Sequence, residues 1–127
     1  MSGNLAWEVK HIKKEKKNIT FNIVFGISNL VAVTLFYKNI ILTAIVLGFL
    51  TISLILFYKS HRTLVPVFVF CMVFGALAEI YAVHGGVWAY ASTDFLSIPL
   101  WLFVLWGNAG LFIYRSAVEL ERLGFHD

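Results

Sequence analysis

Glu79 is the only charged residue between Leu64 and Val83, a stretch otherwise made of apolar and small side chains. A charge at the centre of a lipid-embedded helix costs about 2.5–3.5 kcal/mol on insertion scales, so a carboxyl there has a partner or a task. Two chemistries suit it. One is a structural carboxyl whose hydrogen bonds hold helices together. The other is a proton-exchanging group that serves as a general acid or proton carrier. Asn29 and Asn108 carry the same requirement for shelter, because a side-chain amide in hydrocarbon needs hydrogen-bond partners on a neighbouring helix. Trp88, Tyr90 and Trp101, with Tyr81 and Trp106, read either as an interfacial aromatic belt or as the lining of an amphipathic ligand pocket. His11, His61, His84 and His126 are dispersed without an i, i+4 pair, and Cys71 is the lone thiol, so no metal centre and no cofactor are expected.

The elements that must position these groups follow from composition. Apolar residues make up 60% of the 127-residue chain and charged residues 13%, with a mean hydropathy of +0.83. Soluble domains carry about 25% charged residues. Apolar runs at 20–37, 40–58, 64–83 and 98–114 have 17 to 20 residues each. At about 1.5 Å per residue each is long enough to cross a hydrocarbon core of about 30 Å. The expected fold is all-α: a polytopic membrane protein with a four-helix transmembrane bundle over 20–115. A basic segment, 1–19, precedes it and a helical extension, 116–127, follows it. The basic segment reads either as a helix lying along the membrane surface or as a solvated tail. Its five lysines and the length of the first run argue against a cleavable signal peptide.

Charge sets the expected orientation. Nine Lys and Arg residues fall on the side of the two termini and the 59–63 connection, against Lys38 alone, with Asp94, on the other. The positive-inside rule then puts both termini in the cytoplasm of a cell whose plasma membrane the chain crosses. The formal charge of +3 thus reflects topology and anionic lipid, with no nucleic-acid partner implied. The connections 37–39 and 59–63 are short enough to make consecutive helices antiparallel neighbours. Arg115, Glu119 and Arg122 are spaced to pair along the helical extension, and Gly124 is placed to cap it.

Ranking residues by depth from each helix centre puts Glu79 about 8 Å outward of the midplane. Thr34, Thr43 and Trp101 come out level with it, and two hydroxyls and an indole N–H would be donors to a carboxyl. Asn29 and Asn108 form a second layer near the midplane. Gly75, one turn from Glu79, leaves space beside it, while Gly107, Ala109 and Gly110 permit close helix approach.

The stretch Phe74–Arg115 contains Glu79, then Gly86-Val87-Trp88-Ala89-Tyr90, then Ile98-Pro99-Leu100-Trp101 and Trp106-Gly107. It resembles a group of small prokaryotic membrane proteins of unknown function. More distantly it is similar to the carotenoid-hydratase (bisanhydrobacterioruberin hydratase-like) membrane proteins. That resemblance implies Glu79 as an acid, with Trp88, Tyr90 and Trp101 lining an isoprenoid chain. The pattern differs from the small multidrug-resistance transporters, whose glutamate sits in the first helix. Three functions are therefore expected, in this order. The first is an accessory subunit packing into a larger membrane complex such as a membrane oxidoreductase. The second is a small lipid- or isoprenoid-modifying enzyme using Glu79. The third is an oligomeric proton-coupled transporter. The partners implied are membrane lipid and other membrane subunits, or further copies of the chain.

Overall fold

The computed structural model describes residues 2–90, 93 and 97–125. Asp94 and His126, used above, lie outside the described residues. Four helices follow in order: α1 (Ser2–Phe36), α2 (Ile40–Tyr58), α3 (His61–His84) and α4 (Leu100–Arg122). A backbone that must satisfy its own N–H and C=O groups in lipid forms helices, and every apolar run here does so.

The basic segment corrects the expectation of a separate surface helix or a loose tail. It forms the first half of α1, continuous with the first apolar run. No glycine or proline interrupts 4–25, and contacts fasten this half to the rest of the bundle. Arg122 Nη1 lies 3.7 Å from Glu15 Oε1, and the His11 ring is 3.1 Å from the Arg122 carbonyl. The start of α1 and the end of α4 therefore lie side by side.

The helix ends follow local chemistry. Asn39 caps α2 by accepting from the Leu42 N–H at 3.1 Å. At the end of α4, the Gly124 N–H bonds the Glu121 carbonyl and the Phe125 N–H bonds the Leu120 carbonyl. This pattern needs a left-handed residue, and Gly124 supplies it at φ 106°. As expected, α4 runs about two turns past Tyr114.

The fourth helix is the axis of the fold. It packs on α1, α2 and most extensively on α3, whereas α2 touches α3 only sparingly and, among the described residues, the α1 backbone does not closely approach that of α3. Glycines set the α3–α4 approach. A Cβ on Gly107 would lie 2.3 Å from the Phe68 ring, and one on Gly110 would lie 2.3 Å from Cys71 Sγ. Close helix contact through small residues is how apolar helices gain dispersion contact in lipid, where burial alone is no driving force.

Polarity is inverted relative to a soluble bundle. Leu30, Phe49, Leu56 and Phe70 stand exposed on outer faces, while Asn22, Asn29, Asn108, Arg115 and Glu119 are buried. Among the described residues three helices, α1 to α3, are long and apolar enough to cross a membrane. The fourth is more polar, and its Asn108, Arg115 and Glu119 are buried against the other three.

Candidate functional site

Glu79 sits near the C-terminal end of α3, one turn beyond Gly75. The space beside Gly75 is not empty: a Cβ there would be 2.2 Å from the Trp106 ring, which packs flat on the glycine. That seating brings Trp106 Nε1 to 3.2 Å from Glu79 Oε1. The other oxygen, Oε2, accepts from Trp88 Nε1 at 2.8 Å and from the Tyr90 hydroxyl at 2.6 Å. Glu79 is thus an acceptor on both oxygens, gripped by α4 and by the loop that follows α3. Burial pushes the Tyr90 phenol up to about 12, reinforced by its bond to Glu79 and that carboxylate's charge, and opposed by Trp88.

These donors replace the set expected from depth. Thr34 is exposed and bonds its own Leu30 carbonyl at 2.8 Å. Thr43 is buried but turned to the chain reversal, where it bonds the Phe36 carbonyl and the Asn39 carbonyl. A threonine hydroxyl takes the nearest free carbonyl, and helix termini supply several. Trp101 is close to the site without touching the carboxyl. It meets Tyr90 edge-on, with ring centroids 6.4 Å apart, and its buried Nε1 has no hydrogen-bond partner. Tyr81 faces outward and takes no part.

Because the α1 and α3 backbones do not closely approach each other, a cleft floored by α4 runs between them. It has a volume of about 340 Å³ beside Glu79, Tyr90, Trp101 and Trp106, with Leu30, Val33 and Leu105 as apolar walls. A second cavity of about 260 Å³ continues along α1 and α4, sharing Leu30, Leu105 and Ala109 with the first. The arrangement suits an elongated apolar molecule with one polar end. Glu79 and Trp101 both line the cleft; Glu79 offers an acceptor, and the buried Trp101 Nε1 has no hydrogen-bond partner among the described residues, a pair that would match a hydroxyl group.

The middle layer unites Asn29 and Asn108. Asn108 Nδ2 donates to Asn29 Oδ1 at 2.7 Å and to the Leu47 carbonyl at 3.0 Å, and Asn108 Oδ1 accepts from Thr51 at 2.5 Å. Thr51 was not anticipated, although it lies two turns from Thr43 on the buried face of α2. These amides satisfy one another, which marks them as bundle-forming groups.

A third polar layer, at the end bearing both termini, had no sequence signal beyond the Arg115–Glu119 spacing. Glu119 is fully buried; it accepts from the Tyr58 hydroxyl and lies 3.4 Å from Arg115 Nη2. The Arg115 guanidinium stacks on the Tyr58 ring at 3.8 Å. Arg122 pairs with Glu15 on α1 instead of with Glu119. Desolvation drives the Glu119 carboxyl above its usual range, with Glu15 adding to it and Tyr58 and Arg115 opposing.

No family model, curated protein or solved structure matches this chain. The fold and site define an all-helical protein with three membrane-spanning candidates and a carboxylate cleft at one end.

Proposed function

We propose that this protein binds a long isoprenoid or lipid chain in the α1–α3–α4 cleft, with the chain's hydroxyl end held between Glu79 and Trp101. The supporting observation is the pairing, in one apolar cleft, of a carboxylate fixed by three aromatic donors with a buried indole N–H that has no partner. A buried donor left unpaired costs about 1–3 kcal/mol, and a hydroxyl that accepts from Trp101 and donates to Glu79 recovers it. Glu79 as an acceptor orients a hydroxyl or a water at the chain's end, a role in keeping with the resemblance to isoprenoid-modifying proteins. Purification in mild detergent with mass analysis of retained lipid tests this. Wild type retains a hydroxylated chain; Trp101→Phe, which keeps an apolar aromatic ring but removes the donor, lowers occupancy about tenfold for a loss near 1.4 kcal/mol. Equal retention of the same lipid by wild type, Trp101→Phe and Glu79→Gln overturns the reading.

In this proposal all four helices cross the plasma membrane of a prokaryotic cell and both termini are cytoplasmic. Support comes from the lysine bias and from α4, whose Asn108, Arg115 and Glu119 are enclosed by the other helices. A second reading, as an accessory subunit of a larger membrane complex, is favoured by Gly48. That glycine on α2 has nothing within 4 Å of where its Cβ would be, which leaves room for a helix of another chain. Co-purification of an unlike membrane protein that Gly48→Leu releases supports this reading; a homogeneous single species removes it.

A further inference from the structure

The end of the bundle opposite Glu79 holds a separate cavity of about 190 Å³ between α1 and α4, walled by Ile19, Ile23 and Leu120 and by Asn22, Ser116 and Glu119. Two of its polar groups are acceptors without a donor. Asn22 is 2% exposed and its Oδ1 is unpartnered; Glu119 is fully buried and its Oε2 is unpartnered. Their other atoms are engaged. Asn22 Nδ2 donates to Ser116 Oγ at 3.0 Å and to the Phe112 carbonyl at 3.1 Å, and Glu119 Oε1 is taken by Tyr58 and Arg115. Asn22 and Glu119 both line this small cavity, and their buried, unpartnered oxygens suit a cationic donor of two or more N–H groups, since charge-assisted bonds are the strong ones.

Depth and continuity narrow the ligand. Glu119 lies five residues past Tyr114, about 7 Å beyond the end of the expected span at about 1.5 Å per residue, which is headgroup depth. The cavity shares Ile23 with the apolar cavity of Gly26, Ile27, Leu105 and Phe112 that runs on towards the midplane. Arg122 stands at the same end, paired with Glu15 at 3.7 Å and with its side chain 48% exposed, which leaves it donors for a phosphate. We propose that this is a site for a phospholipid with a primary ammonium headgroup. The ammonium binds Glu119 and Asn22, and one acyl chain lies along the α1–α4 groove from the leaflet on the side of the termini. The headgroup site does not involve Glu79, although the acyl chain reaches the cavity that adjoins the Glu79 cleft.

A methylation series leaves the protein untouched. Native mass spectrometry of the purified protein is titrated with phosphatidylethanolamine, its N-monomethyl and N,N-dimethyl forms, and phosphatidylcholine of the same chains. Charge is constant while the ammonium's N–H donors fall from three to none. The expected result is stepwise weakening, with phosphatidylcholine at least about tenfold weaker than phosphatidylethanolamine. Asn22→Leu is expected to abolish the preference, and Glu119→Gln to reduce it. Free ethanolamine at the same concentrations is expected not to compete, because it lacks the chain. Equal binding of the four lipids overturns the proposal, as does a preference that survives Asn22→Leu. Competition by free ethanolamine overturns the lipid assignment.

Discussion

Replacing Glu79 with leucine removes the group on which the loop after α3 is hung. Trp88 and Tyr90 both donate to Oε2, at 2.8 and 2.6 Å. Hydrogen bonds to a charged group contribute about 1.5–3 kcal/mol each when shielded. Tyr90 is half-buried, but Trp88 is 47% exposed and its bond must be discounted for solvent. Together they hold the loop by about 2 kcal/mol, so Glu79→Leu raises the population of the undocked loop roughly thirtyfold. Glu79→Gln is the informative partner. Its single amide oxygen can occupy the Oε2 position and keep both loop donors, turning the amide N–H₂ towards Trp106 Nε1 and losing only the bond at 3.2 Å. Backbone hydrogen exchange over residues 86–90 in detergent or nanodiscs reads the loop directly. Exchange rises roughly thirtyfold in Glu79→Leu and little in Glu79→Gln. If the leucine variant exchanges like wild type, or glutamine frees the loop as fully as leucine does, the carboxylate is not what holds it.

Other outcomes follow from the packing and the buried charges. In an Asn29→Ala, Asn108→Ala double-mutant cycle, unfolding in detergent yields a coupling of about 0.6 kcal/mol, the average for side-chain bonds between membrane helices, and at most about 1.7 kcal/mol; additive effects contradict the Asn29–Asn108 bond. Gly75→Ala forces a methyl into the Trp106 ring and costs about 1–3 kcal/mol by overpacking. Gly48→Ala, made where space is open, is neutral or stabilising by up to about 1 kcal/mol. A neutral Gly75→Ala in the same melting assay contradicts the seating of Trp106. For Glu119, the folded carboxyl lies above the usual 4.5, so the native state keeps this proton to higher pH than the unfolded chain. Its contribution is fully present below 4.5 and is lost as pH rises through the folded value. Glu15, Arg115 and Tyr58 face the same group. The melting temperature therefore falls over that rise in wild type, and Glu119→Gln flattens the slope; an unchanged slope shows that another group is responsible.

Residue type and run length were enough to specify four helices, their approximate limits apart from the start of α1, the two-turn extension of α4 and the Gly124 cap. Each of these depends on interactions within a few residues along the chain. The Asn29–Asn108 layer was also legible, because two amides at one depth in lipid have few alternatives to each other. The partners of Glu79 were not. Depth along a helix says nothing about rotation around it, and the threonines at the right height had carbonyls of their own within reach. Trp106 became a donor only because Gly75 let its ring lie flat against α3.

The chain alone determined that an acid would sit in an apolar helix and would need donors, since hydrocarbon offers none. Tertiary structure decided which donors, by making α4 the central helix and keeping α1 apart from α3. That separation opens the cleft, while the contacts that draw α4 against α3 and α1 join glycines to side chains remote in sequence. The same packing folded the basic half of α1 against α4 and enclosed Glu119 and Glu15. In sequence those residues read as part of a solvated surface; only the neighbouring helix removes them from water.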